Sequence, residues 1–168
     1  LRSETAFLIA VERREDFLYG AFPSVHPRRI RAMLKKEFCT KPAPPPGSFT
    51  VKRYRRHGLV VRELDGGIVR RSFDPLFIVG GHHEVYDYVP KGELWLDANM
   101  DPKEMPYHAI HEAIEYKLMR RGVGYDTAHE CAHAAEREAR RRGGHGFPCV
   151  EDGDGRGTPL ADFLLRLK

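Results

Sequence analysis

Residues 101–142 read DPKEMPYHAIHEAIEYKLMRRGVGYDTAHECAHAAEREARRR, and this stretch decides the predicted fold. Its Asp-Pro start is typical of a helix N-terminus, with aspartate as the cap and proline at the first helical position. Apolar residues then recur at helical spacing on both sides of a Gly-Val-Gly break at 122–124. Because the break is short, the stretch predicts two helices, about 101–121 and 126–142, that pack antiparallel as a hairpin.

The preceding segment, residues 49–97, changes to short alternating or apolar runs that are typical of β-strands. Asp65-Gly66-Gly67 lies between two of these runs and predicts a hairpin turn. A second hairpin is predicted around Pro90-Lys91-Gly92. The predicted strands are 49–54, 57–64, 68–73, 76–80, 86–89 and 93–97. We therefore expect an α+β fold in which a small antiparallel sheet is followed by a C-terminal antiparallel helical hairpin.

The N-terminal part of the chain predicts two more helices, from Ser3 to about Tyr19 and from Pro27 to Phe38. A Lys-Pro-Ala-Pro-Pro-Pro-Gly-Ser stretch follows, and its prolines favour an extended, stiff connector. The predicted organisation has four parts: an N-terminal helical appendage (1–40), a proline-rich linker (41–48), a domain with the sheet and the helical hairpin (49–142), and a flexible tail with a short terminal helix (143–168).

Composition limits the class of protein. The chain has 168 residues, of which 41% are hydrophobic and 31% charged, and this profile is typical of a soluble globular protein. No apolar run approaches the roughly 20 residues that a membrane span needs, so no membrane association is expected. Three widely spaced cysteines without a Cys-x-x-Cys pair favour a reducing, cytoplasmic compartment and argue against a cysteine-based zinc site. The sequence contains no P-loop, dinucleotide fingerprint or Gly-x-Ser-x-Gly motif, and it indicates neither the substrate nor the oligomeric state.

The predicted hairpin carries two histidine–glutamate clusters, His111-Glu-Ala-Ile-Glu115 and His129-Glu-Cys-Ala-His133. Helix positions i and i+4 share a face, so each cluster can approach a metal ion from one side. If the hairpin turns near Val123, ligands from both helices can meet at one ion. Imidazole and carboxylate are ligands that zinc accepts, so Zn²⁺ is the expected cofactor, with another divalent metal as the alternative.

Two ligand sets fit this hairpin. In the first, the ligands are His111, Glu115 and either His129 or His133, and Glu112 is the general base that acts on metal-bound water. In the second, His129 and His133 are ligands, Glu130 is the base, and the third ligand is Glu115, His111 or Glu136. The hairpin register places His111 opposite Glu136. His82, which follows a Gly-Gly pair after a predicted strand, is a further candidate ligand.

Residues 80–136 also follow a longer pattern: Gly-Gly-His, a hairpin that ends in Trp-Leu-Asp, then His-Glu-x-x-Glu, Leu-Met, Gly, Tyr-x-x-Ala-His and a later Glu. The matching residues are Gly80, Gly81, His82, Trp95, Asp97, His111, Glu112, Glu115, Leu118, Met119, Gly122, Tyr125, Ala128, His129 and Glu136. This pattern resembles a family of uncharacterised bacterial and phage-borne proteins. The resemblance implies a cluster formed by His111, Glu112, Glu115 and His129, with His133 incidental to it. The family is similar to zinc-dependent peptidases only through the His-Glu motif. The two clusters themselves motivate the hypothesis of a zinc-binding protein that acts as a metal-dependent hydrolase.

Basic residues support an alternative function. The net charge is +4, and one group of basic residues lies on a predicted strand: Lys52, Arg53, Arg55 and Arg56. Such a group is typical of surfaces that bind polyanions. The alternative is therefore a nucleic-acid- or protein-binding module of a mobile element, in which the His/Glu hairpin has only a structural role.

Overall fold

The computed structural model of the protein describes residues 4–21, 24–25, 27–143, 149–151 and 157–159. Its helices are α1 (Glu4–Ala21), α2 (Pro27–Phe38), α3 (Gly66–Ser72), α4 (Met105–Arg120) and α5 (Tyr125–Arg142), with a 3₁₀ turn at Pro46–Ser48. Its strands are β1 (Thr50–Arg56), β2 (Leu59–Leu64), β3 (Gly80–His82), β4 (Glu93–Asp97), β5 (Cys149–Glu151) and β6 (Gly157–Pro159). The fold is α+β, as predicted. Among these residues, no helix combines the length and the apolar character needed to cross a membrane.

The chain divides into two compact units, one formed by residues 1–50 and 65–78 and the other by residues 51–64 and 79–168. In the first unit, α1 and α2 bury Leu18, Ile30 and Leu34 against one another. The second unit contains the four-stranded sheet, α4 and α5, and therefore all the predicted metal ligands.

The four-stranded sheet has the order β1-β2-β4-β3 and is mixed, so the prediction of an antiparallel sheet was wrong. β2 and β4 run parallel, with Val60 opposite Glu93 and Leu64 opposite Asp97. β3 runs antiparallel to β4, with His82 opposite Leu94. β4 is one of the two inner strands of the sheet, and all five of its residues are buried.

The error in the sheet begins at Asp65-Gly66-Gly67. Instead of turning a hairpin, the Asp65 side chain accepts hydrogen bonds from the backbone N–H groups of Gly67 (2.9 Å) and Ile68 (3.3 Å) and so caps α3. Residues 68–73, predicted as a returning strand, are therefore helical up to Ser72. Because no strand returns beside β2 at this point, a later strand, β4, pairs with β2 in the parallel direction.

Two more predicted strands also differ in the structure: one is displaced and the other does not form. The strand predicted at 76–80 begins only at Gly80 and ends at His82. Residues 86–89, predicted to pair with 93–97, form a turn closed by a 3.0 Å bond from Val89 N–H to the Tyr86 carbonyl. The hairpin that does occur is at His57-Gly58, where both residues have positive φ (54° and 79°), the backbone of a tight two-residue turn between β1 and β2.

Helices α4 and α5 pack closely because α5 presents alanines to the larger side chains of α4. Their shared core consists of Ile110, Ile114, Leu118, Ala128, Ala132, Ala135 and Ala139. The opposite face of α4 packs on the sheet through Ala109, Ala113 and Tyr116. The helical hairpin is not the C-terminal element, since β5 and β6 follow it as an antiparallel pair. The short helix predicted at the end of the tail lies outside the described residues.

Candidate metal centre

Three ligand atoms from α4 and α5 converge at the side of the helical hairpin. His111 Nε2 lies 3.2 Å from His129 Nδ1 and 3.5 Å from Glu115 Oε2, and Glu115 Oε2 lies 2.6 Å from His129 Nδ1. Metal–ligand distances of about 2.0–2.1 Å in a tetrahedral zinc site place neighbouring ligand atoms roughly 3.3 Å apart. Two of the three separations already match this value, and the third has to widen. We call His111, Glu115 and His129 the trio.

The far side of the His111 ring is fixed by a second set of contacts. His111 Nδ1 lies 3.0 Å from Glu136 Oε2, as the predicted register requires. Arg140 donates to the other oxygen, Glu136 Oε1, at 2.6 Å, and also donates to Glu104. The Arg140 guanidinium lies 4.7 Å from the centre of the Tyr107 ring. A carboxylate on Nδ1 holds a proton there and leaves Nε2 free to coordinate, which is the usual environment of a zinc-bound histidine.

Charge pairing strongly shifts the pKa values of His111, Glu115 and Glu136. Burial alone lowers the pKa of His111, but hydrogen bonds to Glu115 and Glu136 outweigh burial and raise it to about 9. For the acid Glu115, burial acts in the other direction and raises the pKa. Its hydrogen bonds to His111, His82 and His129 outweigh burial and hold that pKa well below the ordinary value. The hydrogen bond from His111 is the main reason that the pKa of Glu136 falls to about 2. Both carboxylates are thus ionised at neutral pH.

Glu112 differs from the other carboxylates of the site. It is partly buried, and its carboxylate makes no hydrogen bond to the residues that the structure describes. A Glu112 oxygen lies within 4.8 Å of ligand atoms of both His82 and Glu115. Burial raises the pKa of Glu112 to about 7, even though the neighbouring histidines oppose this shift. A carboxyl group with such a pKa exchanges its proton near neutral pH, as a general base or acid must.

The remaining candidate ligands form two further groups, His111 with His133 and Glu136, and His82 with Glu112 and Glu115. The first of these is a poor cation site because Glu136 already accepts from both His111 and Arg140. Among the described residues, no group contains His129 and His133 together, and exposed Glu130 belongs to none. The geometry therefore favours the first of the two ligand sets derived from the sequence.

The basic residues of the alternative function lie on β1. Lys52, Arg53 and Arg55 are exposed, and Arg56 is partly buried. β1 and β3 are the two edges of the four-stranded sheet, so these residues lie at the edge opposite to His82. Nucleic-acid binding by this strand stays a prediction.

Several residues around the trio were not identified from the sequence. Arg140 donates to Glu136, the partner of His111, and also contacts Glu104 and Tyr107. The Tyr125 ring stacks on His129 with centroids 5.3 Å apart. One available signal was the i,i+4 spacing of Glu136 and Arg140, which favours an ion pair on a helix. The position of Glu104 opposite Arg140 depends on the packing of the hairpin.

No family model, curated protein or solved structure matches this chain. The resemblance of residues 80–136 to a known sequence pattern thus stays a prediction. The function is inferred from the geometry of the site alone.

Proposed function

We propose that the protein binds one Zn²⁺ through His111 Nε2, Glu115 Oε2 and His129 Nδ1. The observation that carries this proposal is the convergence of these three atoms from two helices, next to a carboxylate that orients His111. Two of the residues are almost inaccessible, with exposures of 6% for His111 and 3% for Glu115. Buried polar groups in such a cluster are costly unless they are paired or coordinate a metal.

The type of ligand favours zinc. Two imidazole nitrogens and one carboxylate oxygen suit Zn²⁺, whereas Mg²⁺ and Ca²⁺ prefer oxygen ligands alone. Cys131 lies on α5 but in none of the ligand groups, so thiolate coordination is not part of the proposal. A cytoplasmic location, expected from the cysteine pattern, belongs to the same proposal, and the free thiols of Cys39 and Cys131 support it.

We further propose a hydrolytic reaction on an ester or peptide bond. Three protein ligands leave one position open, and zinc bound in this way lowers the pKa of a coordinated water to about 7. Glu112 follows the ligand His111 in the chain. Its carboxylate has no hydrogen-bond partner among the described residues and is therefore available to react. In the reaction, Glu112 takes the proton of the attacking water and returns it to the leaving amine or alcohol.

Zinc binding is expected to release protons, which calorimetry in buffers of different ionisation enthalpy measures. The pKa of His111 in the metal-free protein is raised to about 9, so its Nε2 carries a proton at pH 7.5 and must lose it to coordinate. One proton competing with the metal lowers the apparent affinity about tenfold for each pH unit below this pKa. An affinity that does not change between pH 7 and pH 8.5 would contradict this assignment of His111.

Zinc is also expected to stabilise the fold, because a ligand that binds only the folded chain shifts the unfolding equilibrium. At free zinc of 1,000 times Kd the stabilisation is about 4 kcal/mol, which corresponds to roughly 8–16 °C for a chain of this size. The measurement is thermal unfolding of chelator-treated protein with and without zinc, together with the metal content of protein purified without an affinity-tag metal. Mg²⁺ at the same concentration is the control and should shift the transition little. Protein with neither stoichiometric metal nor a zinc-dependent shift would overturn the proposal.

A further inference from the structure

His82 lies at the end of β3 and is the one histidine of the site that comes from the sheet. Its side chain is fully buried, with an exposure of 0%, and its ring packs edge-on against Tyr116 with centroids 5.5 Å apart. His82 Nε2 lies 3.0 Å from Glu115 Oε1. His82 therefore contacts the oxygen of Glu115 that His129 does not contact.

The two nitrogens of His82 have different surroundings. Nε2 faces Glu115, whereas the buried Nδ1 has no hydrogen-bond partner among the described residues. Metal-binding histidines almost always donate their other N–H to a carboxylate, a carbonyl or water. His111 has such an acceptor for its Nδ1–H in Glu136. If His82 coordinated a metal through Nε2, its proton would move to Nδ1 and be a buried donor without an acceptor. The geometry is thus that of a hydrogen-bond donor rather than of a ligand.

We propose that His82 is a positioning residue, which donates its Nε2–H to Glu115 Oε1 and so leaves Oε2 as the one oxygen of Glu115 that binds zinc. This inference rests on the proposed zinc site. Glu115 has its two oxygens occupied on opposite sides, Oε1 by His82 and Oε2 by His129. The hydrogen bond that His82 Nε2–H donates to Oε1 disfavours coordination of the metal by both oxygens of Glu115, and this keeps a position open for water.

The Gly-Gly pair before His82 explains how β3 can lie in this place. A Cβ atom on Gly81 would come within 2.3 Å of the Tyr86 ring, so a side chain here displaces either the strand or the ring. A Cβ atom on Gly80 would lie 2.8 Å from the Leu96 side chain and 3.3 Å from Glu112 Oε1. The absence of both side chains lets the strand bring His82 next to α4. The two glycines before His82 are therefore needed to place the His82 side chain at the site.

Two variants test the role of His82. His82→Leu removes the donor, whereas His82→Gln retains an N–H near the position of Nε2 but supplies no imidazole. We expect His82→Leu to weaken zinc binding by roughly 10–100-fold, the usual effect of losing an outer hydrogen-bond partner of a ligand, at an unchanged stoichiometry of one ion. His82→Gln should recover most of the affinity. Equal and complete loss in both variants would show that His82 is a ligand, and unchanged affinity in His82→Leu would show that it has no positioning role.

A measurement on the unaltered protein is independent of whether these variants fold. In zinc-loaded, ¹⁵N-labelled protein, the imidazole NMR signals of His82 should show a protonated Nε2 and an unprotonated Nδ1. An unprotonated Nε2, with the proton on Nδ1, would instead place a metal on His82 and overturn the inference. If the protein binds no zinc at all, the proposed function fails. If it binds one ion and His82 carries its proton on Nδ1, only the present inference fails.

Discussion

Replacing His111 by alanine is expected to lower the zinc affinity by more than about 100-fold, since loss of a ligand costs more than the 10–100-fold typical of an outer partner. The substitution removes Nε2 from the trio and also leaves Glu136 without the histidine that it orients. The measurement is a competition titration against a chromophoric zinc chelator. Circular dichroism of the metal-free variant shows whether the helices persist.

His133→Ala is the matched control for this experiment. His133 lies on α5, with its ring centre 4.7 Å from that of His111 and 4.4 Å from that of His129, so it shares the surroundings of the trio. We expect His133→Ala to bind zinc almost as well as the unaltered protein. If His133→Ala lost as much affinity as His111→Ala, His133 would be a ligand, either in place of His129 in the first ligand set or together with His129 in the second, and the proposed trio would be wrong.

Replacing Glu112 by glutamine is expected to lower hydrolysis by roughly 10²–10⁴-fold, the typical contribution of a general base, while zinc stays bound. Glutamine keeps the shape of the side chain but cannot accept a proton from water. Labelled casein and 4-nitrophenyl acetate are suitable first substrates, with the zinc content measured on the same samples. The effect should be in kcat, because Glu112 is not one of the three proposed ligands.

Glu130→Gln provides the control for this substitution. Glu130 is exposed on α5, outside every ligand group of the described residues, and it would be the base only in the alternative ligand set. Its replacement should leave hydrolysis unchanged. Absence of any zinc-dependent hydrolysis in the unaltered protein would contradict the hydrolase proposal but leave zinc binding intact, and the site would then be structural.

The parts of the fold that depend on local sequence were predictable. The two helices of the hairpin have a clear apolar spacing and a Gly-Val-Gly break, and the short connection brings His111 opposite Glu136. The helix Pro27–Phe38 was predicted with the bounds that it has. In each case the signal is the spacing of apolar residues within a few turns. The predicted cap at Asp101 was wrong, since α4 begins at Met105 with Glu104 at the N-cap position.

The errors concern features that local sequence does not determine. Asp65-Gly66-Gly67 suits a hairpin turn and a helix cap equally, because an aspartate side chain can bond to backbone N–H groups in both. The parallel pairing of β2 with β4 joins residues about thirty positions apart, so no short pattern reveals it. In the same way, the donor role of His82 depends on which of its nitrogens meets Glu115 after the sheet and α4 have packed.

A crystal structure of the zinc-loaded protein, with anomalous scattering measured on both sides of the zinc absorption edge, tests the central claim most directly. We expect one zinc peak, at about 2.0–2.2 Å from His111 Nε2, Glu115 Oε2 and His129 Nδ1. The remaining coordination position should face solvent near Glu112. A zinc peak that His129 and His133 coordinate and His111 does not would contradict the proposed site. The absence of any peak in crystals of protein supplied with stoichiometric zinc would contradict it as well.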